Sequence, residues 1–231
     1  MKKYHGIYIV IGCLLFMSFQ SSHAQMVDFG IYGGVNKSSI SELDGRESNA
    51  GFQIGAFADF SFSSMPLSIQ PEIFYVRLNS NGGGPVEYPR PPSHNFFSDN
   101  FDYLQLPVLL KFDFLEVGPY AHNIFMGPYG GYNIDAQTYF SPFASHDGIN
   151  IKEYVNSFDY GLILGTEAQF RVQLLKINLG MRYQIGMRNV ISENVTDILD
   201  EFDGYPSKDL IKDYFNGKMH RALSIHTGFS F

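Results

Sequence analysis

"LLKINLGMRYQIGMRNV", residues 174 to 190, decides the fold. Taken alternately, Leu175, Ile177, Leu179, Met181, Tyr183, Ile185 and Met187 form one wholly apolar face. Lys176, Asn178, Arg182, Gln184 and Arg188, with Gly180 and Gly186, form the other. A period of two is the signature of a strand, not a helix. The contrast between its faces demands surroundings that are greasy on one side and tolerant of cations on the other.

The same alternation recurs in seven further stretches. They are "VDFGIYGGVN" (27 to 36), "GFQIGAFADF" (51 to 60), "PLSIQPEIFYVRL" (66 to 78), "DYLQLPVLLKFDF" (102 to 114), "NIFMGPYGGYNIDA" (123 to 136), "SFDYGLILGTEAQF" (157 to 170) and "HRALSIHTGFSF" (220 to 231). Pro71 and Pro107 fall inside two of these runs. A proline donates no ladder hydrogen bond, so each predicts a bulge or local break. A tight turn near Val172 brings Glu167 opposite Lys176 or Asn178.

The connections alternate in length. Long polar segments follow the first, third, fifth and seventh strands, at 37 to 50, 79 to 101, 137 to 156 and 189 to 219, while short ones fall near "SFSSM", "LEVGPYAH" and "RVQ". An even number of antiparallel strands with short turns at one end and long loops at the other predicts an all-β, eight-stranded transmembrane barrel of the outer-membrane type. The Gly- and Pro-rich stretch 79 to 95 reads as irregular and mobile, and the apolar spacing of 195 to 202 and 210 to 215 predicts short helices.

Composition agrees. Charged residues are only 17% of the chain and aromatics 16%, with 23 glycines, a bias toward strands and turns. Lys2 and Lys3, the apolar run 7 to 17 and "SSHAQ" read as a signal peptide over residues 1 to 24, leaving 25 to 231 as the barrel domain. "VIGC" ending at Cys13 resembles a lipobox, but the apolar run continues past it through Phe16. Cleavage after Ala24 removes the single cysteine and two lysines, taking the formal charge from -7 to -9. That charge argues against nucleic acid as a partner. No later segment is apolar for the roughly 20 residues a spanning helix needs.

In such a barrel the polar faces look inward, so Glu72, Lys111, Asp159, Glu167, Lys176, Arg182 and Arg188, with Asp28 and Asp59, are expected to meet in a lumenal charge network. Unpaired buried charge is too costly to persist, and eight strands enclose only enough room for side chains. Inward glycines such as Gly30, Gly131, Gly165 and Gly180 would make room for larger neighbours. The expectation is a filled lumen and no pore.

The stretches "QPEIFY" (70 to 75), "DYLQLPVLLKF" (102 to 112), "GPYGGY" (127 to 132), "FDYGLILG" (158 to 165), "MRYQIGMRNV" (181 to 190) and the terminal "GFSF" resemble the PorT-like outer-membrane beta-barrel domain of Bacteroidota. The resemblance spans essentially all of the mature chain. It implies a terminal aromatic, here Phe231, read by the outer-membrane insertion machinery. It also implies, for the family's founding member, a part in type IX protein secretion and gliding, and hence envelope or secretion-system proteins as partners beside outer-membrane lipid.

Other readings are weaker. Ser224 and His226 share a face, as the His and Ser of outer-membrane lipid A deacylases do, but the alternation turns both toward the lumen and no acid partner is evident. The acidic loop with Glu193, Asp197, Asp200, Glu201, Asp203, Asp209 and Asp213 lacks the spacing of a calcium loop. The histidines show no paired metal-ligand spacing, and no cofactor is expected. A small-solute transporter needs a path the narrow barrel disfavours.

Overall fold

The structure is a computed structural model that describes residues 26–40, 49–85, 94–141, 149–190, 192 and 219–231. Its strands are β1 (Met26–Ile40), β2 (Asn49–Ser61), β3 (Leu67–Pro85), β4 (His94–Val117), β5 (Tyr120–Ser141), β6 (Ile149–Asn150), β7 (Phe158–Val172), β8 (Leu175–Gly186) and β9 (His220–Ser230). Each of the eight alternating runs is a strand, and β6 is a two-residue addition beside β5. The sheet order β4-β3-β2-β1-β9-β8-β7-β5 closes through β4–β5, and every pairing is antiparallel. This is an eight-stranded closed barrel. The expected signal peptide and the helices of 195 to 202 and 210 to 215 lie outside the described residues.

Register fixes the shape. Stepping across the strands from Val27 to Phe60, Ile69, Leu110, Met126, Leu164, Tyr183 and Leu223 returns to β1 at Lys37, ten residues beyond the start. A stagger of ten over eight strands, at ~3.4 Å per residue and ~4.8 Å between strands, tilts the strands by about 40°.

The outer wall is the apolar face of each strand. On β4 it runs through Leu104, Leu106, Val108, Leu110, Phe112 and Phe114, all exposed. Along the tilted axis this rises about 26 Å, against the roughly 25 Å apolar band of an outer-membrane barrel. Aromatic residues collect near both margins. Tyr132 packs on Phe158 and Phe52 on Tyr75 toward the loop end, and Tyr120 on Phe170 toward the turns. Rings with a polar edge suit that boundary between hydrocarbon and water.

Of three local details, the first meets expectation as a local break and the other two depart from it. The prolines interrupt hydrogen bonding without shifting register: Pro71↔Val108 and Phe74↔Gln105 flank a gap in one ladder, and Phe57↔Glu72 and Phe60↔Ile69 flank a gap in the next. The register shifts lie instead at Asp102/Tyr103 and Asp113/Leu115. Second, the segment expected to be a loop from 79 is hairpin as far as Pro85, pairing Asn79–Pro85 with His94–Asn100. Residues 86 to 93 are outside the described set.

Third, the turn after Val172 occupies only Gln173 and Leu174, so Glu167 stands opposite Gly180 and not opposite Lys176 or Asn178. Gln173 has a φ of 58°. Positive φ belongs to the tight turns that match strand twist, and it usually selects glycine.

Candidate functional site

The inward faces form a filled lumen in three levels. Nearest the turns, Lys176 on β8 bonds Asp28 on β1, reaching across β9, which lies between the two strands. At mid-height, Lys111 on β4 lies 3.0 Å from Asp59 on β2, 2.9 Å from Glu167 on β7 and 2.9 Å from the Gln70 amide oxygen. The Gln70 nitrogen donates in turn to Glu72 at 2.7 Å.

Arg182 on β8 donates to both Glu72 oxygens, at 2.8 and 3.3 Å, while the Tyr32 hydroxyl donates to the same carboxylate at 2.8 Å. His226 on β9 places Nε2 3.5 Å from Glu167. These bonds tie strands on opposite sides of the barrel together. Glu72, Lys111, Glu167 and Arg182 are all buried.

Packing completes what charge begins. The Arg182 guanidinium lies over the rings of Tyr32, Phe74 and Phe125, at 4.8, 5.6 and 5.7 Å. Inward glycines receive the rings: a methyl group on Gly30 would strike the ring of Phe57, one on Gly165 that of Phe125, and one on Gly161 that of Tyr129. The inward face is therefore not uniformly polar. Phe57, Phe74, Leu109, Phe125 and Ile163 are core residues that a polar-versus-apolar reading assigns to no lumen.

Toward the loops the charges separate. Asp159 on β7 is buried and accepts from Tyr129 at 2.8 Å, joining no described ion pair. Arg188 lies two residues beyond the end of β8, where it donates to Asn156 at 3.2 Å. Sequence spacing places these two in the same network; the structure places them apart from the Lys111 and Arg182 cluster. Tyr103 and His220 meet at 3.1 Å above. Phe231 is largely exposed, and its backbone exchanges hydrogen bonds with Phe29 at 3.0 and 3.1 Å, binding the chain end into β1.

Two features of the outer wall escape sequence reading. Arg77 grips Asp102 with two 2.7 Å bonds just above the apolar band, which spares both charges a contact with lipid. On the turn side, Tyr120, His122 and Thr166 form a chain with two 2.7 Å links, and the Thr166 hydroxyl donates to the Asn123 carbonyl at 2.9 Å. With that proton committed, His122 Nε2 donates to Thr166 and Nδ1 accepts from Tyr120. Ser224 and His226 are both buried inside the barrel, away from lipid. Among the described residues no group of three or more His, Cys, Asp or Glu could hold a metal ion.

Comparison with known proteins agrees with this geometry. The family model described as "Outer membrane protein beta-barrel domain" matches residues 19–192. Among curated proteins, none matches the sequence. Among solved structures, a major outer membrane protein from Thermus thermophilus is similar with a TM-score of 0.50 at 13% identity, covering 89% of this chain and 100% of that one. Neisserial surface protein A gives a TM-score of 0.49 at 13% identity, covering 90% and 98%. At 13% identity the likeness to the Thermus protein is one of fold.

Proposed function

Because the chain belongs to the outer membrane beta-barrel domain family, we propose that it is a non-conducting envelope protein that works through its surfaces, as a structural or interaction partner. The observation that carries this reading is the crossing of the lumen by Lys111, Glu167, Asp59, Glu72 and Arg182. An ion or solute would have to break several buried charge-assisted bonds to pass. Residues 1 to 24 act as a cleaved export signal and Phe231 as the insertion signal. Outer-membrane lipid and, during assembly, the insertion machinery are its partners.

The stretches resembling the PorT-like domain favour a second reading, an accessory subunit of type IX secretion and gliding. Mild-detergent affinity purification of the tagged protein from its native envelope, beside an untagged control, separates the two. Stoichiometric secretion or gliding components support the subunit reading. Recovery with other envelope proteins or alone supports the surface role, and selective solute flux through the purified barrel refutes both.

A further inference from the structure

The lipid-facing sides of two adjacent strands each end in a cation. On β1 the outward residues Phe29, Ile31 and Val35 lead up to Lys37, and on β9 Phe229, Ile225 and Leu223 lead up to Arg221, all of them exposed. The alternate residues Asn36, Ser38, His220 and Ala222 are buried inside the barrel, so the alternation turns both cations outward. Each stands at the loop-side margin of the wall, one outward position past the last apolar residue of its strand.

The two are neighbours. Lys37 lies opposite Leu223 and Arg221 opposite Ser39, which sets the cations diagonally across the β1–β9 ladder with Cα atoms about 7–8 Å apart. Their other ladder partners, Ala50 on β2 and Ile185 on β8, carry no charge. Every other lysine or arginine on the described strands meets a carboxylate: Arg77 with Asp102, Lys111 with Asp59 and Glu167, Arg171 with Glu116, Lys176 with Asp28 and Arg182 with Glu72. Lys37 and Arg221 form no ion pair among the described residues. Two like charges side by side repel, and hydrocarbon directly below them screens that repulsion poorly. An anion between them removes the conflict.

We propose that Lys37 and Arg221 form a clamp for the phosphate of a lipid headgroup in the outer, loop-side leaflet. This gives the outer-membrane lipid named above its headgroup chemistry, and it rests on the chain being an outer-membrane barrel. A lysine supplies a point charge and an arginine a flat fork of donors, a pairing suited to phosphate oxygens. The acyl chains of the same lipid would lie against Val35, Leu223 and Ile225, directly below the clamp. The chain's net negative charge gives anions no long-range attraction, so affinity has to come from these two positioned groups. A free phosphate ion would meet the same groups but gain nothing from the apolar wall beneath them.

The test uses the mature barrel from residue 25 onward, folded in dodecyl maltoside. Native mass spectrometry reads the binding of a phosphorylated glycolipid, lipid A, beside the same glycolipid stripped of its phosphates. The wild type is expected to retain lipid A and to hold the phosphate-free form several-fold more weakly. K37Q and R221Q should each weaken lipid A binding about fivefold, and K37Q/R221Q should abolish the preference for phosphate. K152Q removes an exposed cation from the short turn of helix after β6 and should bind like the wild type.

Equal binding of the two glycolipids to the wild type would overturn the proposal, whatever the variants do. So would a K37Q/R221Q preference equal to the wild type's, or a K152Q loss as large as theirs. Displacement of lipid A by millimolar inorganic phosphate would assign the groups to the free ion and contradict the lipid. The mobility of unboiled samples on SDS gels reports the folded barrel separately: lost selectivity with the gel shift retained counts against the clamp alone, and a wild type without the shift counts against the barrel and the clamp together.

Discussion

At the level of single residues, depth inside the barrel decides what a charge is worth. Lys111 stands between two buried carboxylates, so K111M removes the ammonium that both of them pair with. The expected loss is about 3–5 kcal/mol in urea unfolding of the detergent-folded barrel. Arg77, 39% exposed in its pair with Asp102, is expected to give about 0–1 kcal/mol in the same assay when changed to Met. Equal effects would mean that the lumenal cluster is hydrated.

Glycines divide in the same way. A methyl on Gly127 would lie 2.9 Å from Leu109 Cα and closer still to the Val108 carbonyl, whereas one on Gly130 meets nothing within 4 Å. G127A should therefore lower the unfolding midpoint clearly, and G130A should change stability by no more than about 0.5 kcal/mol.

At the level of the strand and its turn, Gln173 carries backbone strain that no side chain there relieves. Q173G is expected to stabilise the β7–β8 hairpin by up to about 1 kcal/mol, read as an unfolding midpoint shifted upward with an unchanged urea slope. The strands themselves are legible because lipid and lumen impose opposite chemistry on alternate residues. Register is harder to read: "RVQ" marks a turn without saying which two residues occupy it, and that ambiguity sets Glu167 beside Lys176 or Asn178 in the sequence. The true neighbour across the ladder is Gly180, and the true cation is Lys111, three strands from Lys176 and opposite β7 only through β5.

The prolines are legible as local breaks, and the structure shows which of the two expected forms they take. Pro71 and Pro107 lose their hydrogen bonds yet keep the strand extended, because neighbouring pairs on both sides hold the register. The inward rings of Phe57, Phe74 and Phe125 are illegible because apolar residues on a lumenal face look like lipid-facing ones until their glycine partners on adjacent strands are known. His122 is equally hidden, since its partners Tyr120 and Thr166 come from two strands and identify it only as a set.

For the whole molecule, closure converts these local choices into a boundary. A ten-residue stagger brings β9 back to β1, the apolar face becomes a continuous wall, and the polar face becomes a core crossed by ion pairs. Planar bilayers containing the purified barrel are expected to show no stable conductance steps; reproducible steps would show that the lumenal network opens.

The most direct test of the central claim, lipid outside and packed charge within, is a single-cysteine spin-label scan of residues 175 to 187 in bilayers, on the chain from residue 25 onward, which carries no cysteine. A strict period of two is predicted: labels at Leu175, Ile177, Leu179, Met181, Tyr183 and Ile185 collide with dissolved oxygen. Tolerated labels at Asn178, Gly180 and Gln184 are immobile and shielded from it. Odd positions that collide instead with a water-soluble nickel complex, or a scan without the alternation, would contradict it.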